Sequence, residues 1–273
     1  MNFRGLPAAT GRRAALVTLL FALSACAAQP SGAGWGEGAD FTPGWQRLGQ
    51  AALTAATDPF TWAPAVGAAA LQIGGADRDI ADWANDHTPV FGSRNAASDA
   101  SDWLRLASLG LYVGTGLAAP TGASGDPVFD KAKGFAVGVA ALAATAASTE
   151  ALKRVVARER PQGSGDDSFP SGHMALTATA ARLTHQTLGY YGLTPGERIA
   201  TDTGLAGLAL MTGWARVESG EHHPADVLAG AALGNFFAVF ATEAFLRPAG
   251  VRGVALGVSP SADGMMLQAS FAL

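Results

Sequence analysis

Pro170-Ser171-Gly172-His173-Met174-Ala175-Leu176-Thr177-Ala178-Thr179-Ala180-Ala181-Arg182-Leu183 sets a helix-start signal and a histidine side by side. Ser171 suits an N-cap, and the Ala, Thr and Leu residues from Met174 to Leu188 suit the helix that follows. A helix start leaves backbone N–H groups without partners, and a glycine among them lets a ligand approach the backbone closely. The junction therefore predicts an anion cradle, with His173 at its rim and placed to give a proton to a leaving oxygen.

Two further runs flank this one. Upstream, six residues separate Lys153 from Arg160-Pro161. On a single helix the two cations return to nearly the same face, and Pro161 ends the helix with Arg160 at its mouth. Downstream come Arg216, His222 and Asp226, with Pro224 suited to an early helical position. If that turn is helical, Asp226 accepts the N–H of one imidazole nitrogen of His222 and leaves the other lone pair free to attack phosphorus. Arg216 would grip phosphate oxygens through its planar fork, which lysine cannot copy. Phosphate esters are cleaved by positioning and fixed positive charge, and Lys153, Arg160 and Arg216 supply that charge. Each run has a plainer reading when taken alone. Lys153, Arg154, Arg158 and Arg160 could complement a helix C-terminus, Ser171 could be only a cap, and His222-His223-Pro224 only a polar turn.

Taken together and in this order, the three runs resemble the signature of the type 2 phosphatidic acid phosphatase superfamily, shared with bacterial class A acid phosphatases and vanadium haloperoxidases. The resemblance covers roughly residues 150 to 230. It implies an all-α helical bundle and a reaction without metal or other cofactor, through a phosphohistidine. His222 would be the nucleophile, Asp226 its orienting partner and His173 the general acid. Lys153, Arg160, Ser171, Gly172 and Arg216 would bind the phosphate. One departure stands out, since Ala215 replaces the serine usual before the third-run arginine.

The first 25 residues carry Arg4, Arg12 and Arg13, no acidic residue, and the apolar stretch Ala14 to Leu23, which predicts an export signal. Leu23-Ser24-Ala25-Cys26 resembles a bacterial lipobox, so Cys26 is expected to be lipidated; ordinary cleavage near Ala25 or Ala28 is the alternative. Cys26 is the only cysteine, which excludes an intramolecular disulfide. The formal charge of −4 becomes more acidic once the signal and its arginines are removed, and this argues against a nucleic-acid partner. From Ala27 to Phe41 the Gly, Ala, Ser and Pro composition predicts a tether, so residues 26–43 are assigned to one.

Residues 44–248 form the expected helical domain, with helices at about 44–57, 59–74, 77–86, 101–118, 127–158, 172–189, 196–214 and 224–246. Residues 249–273 read as a β-hairpin, with Val251 to Val258 and Met265 to Phe271 flanking Pro260-Ser261-Ala262-Asp263-Gly264. The apolar runs Pro59 to Ala76, Gly134 to Thr149 and Val227 to Thr242 are Ala- and Gly-rich and barely long enough to span a bilayer. This favours a soluble domain on a lipid anchor over an integral bundle. The function that fits is an exported phosphatase in the bacterial cell envelope, acting on a phosphate monoester or diphosphate carried by a lipid. The competing readings are a vanadate-dependent haloperoxidase, an acid phosphatase of soluble substrates and a non-catalytic envelope lipoprotein.

Overall fold

The computed structural model describes residues 34–122 and 125–246 in full, and the backbone of 254–261 and 264–271. The expected signal, Cys26 and the first part of the tether lie outside the described residues. Eight helices are present among those described: α1 (Trp45–Thr57), α2 (Pro59–Leu71), α3 (Ala76–His87), α4 (Arg94–Ala118), α5 (Pro127–Val156), α6 (Gly172–Thr187), α7 (Pro195–Glu218) and α8 (Pro224–Phe245). Three starts use one device, in which a capping side chain is followed by a proline whose missing N–H would have been unpaired in any case. These are Asp58-Pro59, Asp126-Pro127 and Thr194-Pro195, the last with Glu197 closing a capping box.

Helix α8 forms the centre of the bundle, against which α1, α2, α5 and α6 pack, while α6 also meets α4, α5 and α7. Close approach of α6 and α8 depends on glycine. A Cβ at Gly234 would sit 2.2 Å from the Ala175 carbonyl oxygen, and one at Gly230 would sit 2.5 Å from that of Ser171. Arg47 on α1 donates from Nε to the Glu243 carbonyl at 3.0 Å and from Nη2 to that of Leu246 at 3.2 Å, serving the unpaired carbonyls at the end of α8.

Four boundaries differ from the sequence expectation in ways that matter. Helix α4 begins at Arg94 rather than 101, because Ser93 caps it by accepting the Ala96 N–H at 3.2 Å. Helix α5 stops at Val156, where Ala157 turns left-handed (φ 45°) and donates its N–H to the Lys153 carbonyl. Helix α7 runs on to Glu218, which puts Arg216 in its last turn. The predicted tether, finally, is packed from residue 34 onward. Trp35 is buried, meets Phe135 edge to face at 5.0 Å and donates its backbone N–H to the Pro120 carbonyl, while Asp40 donates its backbone N–H to that of Phe245. One buried indole outweighs the Gly/Ala composition around it.

Strands Val254–Ser261 (β1) and Gly264–Phe271 (β2) pair antiparallel, Val254 opposite Phe271 and Ser261 opposite Gly264. The helical surface carries many large apolar side chains. Phe60, Trp62 and Val66 on α2 are exposed, as are Trp103, Leu106, Val113 and Leu117 on α4, Val128, Phe129 and Val139 on α5, and Ile199, Leu210 and Met211 on α7. Among the described residues, α5 and α8 are long and apolar enough to cross a membrane; α8 is mostly enclosed by its neighbours, and most of α5 is not.

Candidate active site

The end of α5, the starts of α6 and α8 and the end of α7 converge at one end of the bundle. They bring all eight candidate residues together with the loop between α5 and α6. Ser171 is the N-cap of α6 and its side chain accepts the Met174 N–H, while the N–H groups of Gly172 and His173 have no partner within the helix. At Gly172 an added Cβ would meet only Thr149, at 3.5 Å, so the cradle is open there.

Lys153 and Arg160 do not share a helix face, since α5 ends before Arg158. Arg160 arrives instead from a folded loop in which its N–H donates to the Gly165 carbonyl and the Ser168 N–H to that of Arg158. Carboxylates pair with the cations. Arg160 donates to both oxygens of Asp167, at 2.7 and 2.8 Å, and also pairs with Glu221. Lys153 lies 3.5 Å from Asp167, and Arg216 lies 3.2 Å from Glu221. Asp167 thus pairs with two of the site's cations, and Arg160 holds its carboxyl below the usual range. Arg216 is buried, with Nη1 donating to Ser101 Oγ at 3.1 Å and Nε left without a partner.

His222 lies in the turn before α8 rather than on the helix. Its Nδ1 is 2.6 Å from the Ser168 carbonyl oxygen. A carbonyl can only accept, so Nδ1 carries the hydrogen and Nε2 keeps a free lone pair. Burial, reinforced by Arg216, pushes the imidazole down to about 3 against the opposing pull of Asp226, so the ring is neutral. The expected pairing of Asp226 with His222 is absent. Because α8 starts only at Pro224, the Asp226 carboxylate folds back onto that start, where Oδ2 accepts the His223 N–H at 2.8 Å and Ser168 Oγ at 2.6 Å. Arg158 donates to Oδ1 at 2.6 Å.

His173, at the mouth, has its Nε2 2.8 Å from Asp102 Oδ1, so this nitrogen carries a hydrogen directed at α4. Burial and then Arg216 lower the imidazole below its usual value, and the bond to Asp102 works against them. Asp102 and Ser101 on α4, Asp77 on α3, and Ser168 and Arg158 in the loop are the members of the site that the sequence reading missed. Asp102 lies 71 positions from its histidine, a separation at which spacing carries no signal. Glu218 is buried, accepts the N–H groups of Val90 and Phe91 and Trp214 Nε1, and so ties the α3–α4 turn to α7. Among the described residues no group of three His, Cys, Asp or Glu side chains could hold a metal ion.

Comparison with known proteins bears on the family and the fold. The model of the PAP2 superfamily matches residues 134–248, which contain the eight candidate residues read from the three runs. A lipid A 1-phosphatase of Porphyromonas gingivalis is 39% identical over 77 residues, which make up 28% of this chain and only 16% of that protein. The crystal structure of a transmembrane PAP2 type phosphatidylglycerolphosphate phosphatase from Bacillus subtilis superposes with a TM-score of 0.51, covering 67% of this chain and 92% of the other at 18% identity. At that identity the likeness is one of fold.

Proposed function

We propose, from the match of residues 134–248 to the model of the PAP2 superfamily, that the protein is an exported phosphatase that hydrolyses a phosphate monoester or diphosphate of a lipid through a phosphohistidine on His222. The observation that carries this reading is the His222 ring, neutral, fixed in the Nδ1–H tautomer by Ser168, and set in the field of Arg216 and Arg160. A neutral imidazole is a nucleophile, whereas a protonated one is not.

The first N–H groups of α6, Lys153, Arg160 and Arg216 would receive the phosphate oxygens, displacing the Asp167 and Glu221 carboxylates that occupy the two arginine forks. The His222 Nε2 lone pair forms a bond to phosphorus while the bond to the leaving oxygen breaks, and protonated His173 gives that oxygen its proton. Water then attacks phosphorus, the N–P bond breaks, and His173 takes the proton back. Export rests on the arginines and the apolar stretch before Cys26, and attachment to the envelope on the lipobox. A lipid substrate is supported by the names of the two relatives and by the apolar outer faces of α2, α4, α5 and α7.

The test is a panel of phospholipid, polyprenyl and soluble phosphates assayed with chelator present. Turnover should survive the chelator and favour the lipids. His222→Ala should lower it roughly 10³-fold or more and abolish the acid-labile phosphoenzyme. Near-normal turnover by His222→Ala would overturn the mechanism, and phosphate binding without turnover across the panel would overturn the enzyme.

A further inference from the structure

We propose that Arg158 is a positioning residue that aims the His222 ring through Asp226 and Ser168, with Asp77 as its anchor; the idea rests on the phosphohistidine reading above. Arg158 lies within the first run but is neither of its two phosphate-site cations, and it pairs with neither Asp167 nor Glu221, the carboxylates that hold those cations. Its guanidinium spans two buried carboxylates, with Nη1 2.6 Å from Asp226 Oδ1 and Nη2 2.6 Å from Asp77 Oδ2. The other oxygen of each is also engaged. Asp226 Oδ2 accepts Ser168 Oγ and the His223 N–H, and Asp77 Oδ1 accepts the Ala225 N–H at 2.7 Å.

Ser168 is the link to the chemistry. It is fully buried and held from two sides, its N–H donating to the Arg158 carbonyl at 2.9 Å and its hydroxyl to Asp226 at 2.6 Å. Its carbonyl oxygen is the acceptor that selects the tautomer and direction of His222. Any shift of the Asp226 carboxylate moves Ser168, and with it the acceptor. Arg158 is what keeps that carboxylate still, since it bonds at once to Asp226 and Asp77, two buried carboxyl groups brought together by α8 and α3. A guanidinium can bond both at once with two nitrogens fixed in one plane, whereas an ammonium on a flexible stem is a single point of charge. The partner expected from the sequence, Asp226 on His222, is thereby replaced by a relay running from Asp77 through Arg158, Asp226 and Ser168 to the ring.

The experiment compares the full-length wild-type protein with Arg158→Lys and, as a milder change that keeps Arg158 bonded to Asp226, Asp77→Asn. Turnover of the best substrate from the panel is measured per folded molecule, beside the 15N and 1H resonances of the His222 imidazole in the absence of substrate. Displacing a reacting group by about 1 Å can cost about 10²-fold in rate. Arg158→Lys should lower kcat by about that factor with KM changed less than about threefold, and Asp77→Asn should lower kcat about tenfold. In both, the His222 Nδ1–H signal should lose its hydrogen-bonded shift. A purely structural role would lower thermal stability and leave kcat and the ring signal of the folded fraction as in wild type, and this outcome would overturn the proposal. So would a rise in KM alone. If Arg158→Lys does not fold, wild-type kcat and ring signal in Asp77→Asn overturn it by themselves. Should the wild type turn over no phosphate while the ring signal still responds to Arg158→Lys, the phosphatase reading falls and the aiming role stands.

Discussion

At the scale of single residues, His173 is set by opposing influences. It must be protonated to serve a leaving oxygen, yet burial and the charges of Arg216 and Arg105 disfavour the charged ring, and only Asp102 favours it. The fall of kcat/KM as pH rises should therefore report His173 and lie below the ordinary histidine range. Asp102→Asn removes the hydrogen bond and the charge that raise the imidazole, so its affinity for the proton drops further. The decline should then begin at lower pH, with the acid-side behaviour of neutral His222 unchanged. A profile that stays in place would show that Asp102 does not tune the acid. His173, His222 and the cations proposed to bind phosphate were legible as candidates because chemistry-bearing residues recur at short, fixed spacings around helix-start signals. Asp102, Asp77 and Ser168 were not, since an acid on a distant helix or a serine in a loop looks the same in sequence whether it faces water or a catalytic ring.

At the scale of elements, the helices themselves were largely readable, because Asp-Pro and Thr-Pro starts and apolar runs mark them locally. Their ends were less so. Arg160 leaves the helix expected to carry it, since Ala157 adopts a left-handed turn that no residue preference announces. The pairing of α6 with α8 was also hidden, although it brings the cradle and the Asp226 turn together. Gly234→Ala places a methyl against the Ala175 carbonyl oxygen and should destabilise the fold by about 1–3 kcal/mol. Gly204→Ala, on α7 with open space around it, should be neutral or stabilise by about 0.5–1 kcal/mol. Thermal unfolding of the two variants in the same detergent checks this, and equal midpoints would show that α6 and α8 can part without cost.

At the scale of the whole molecule, the exposed Trp, Phe, Leu, Val and Ile side chains on α2, α4, α5 and α7 are more than a water-facing surface normally carries in one molecule. They favour direct contact with a bilayer over the soluble, anchored domain expected from the short Ala-rich runs. Cys26→Ala protein should accordingly stay with the membrane through alkaline extraction, and its release would restore the anchor as the sole attachment. The helical class, the chemistry to look for and the residues able to perform it follow from the chain read alone, because helix starts, apolar periodicity and motif spacing are local properties. Tertiary structure alone decided which acceptor orients His222, which acid faces His173 and how Arg158 joins α3 to α8. Those relations depend on the directions of side chains brought together from distant parts of the chain, and direction is a property of packing.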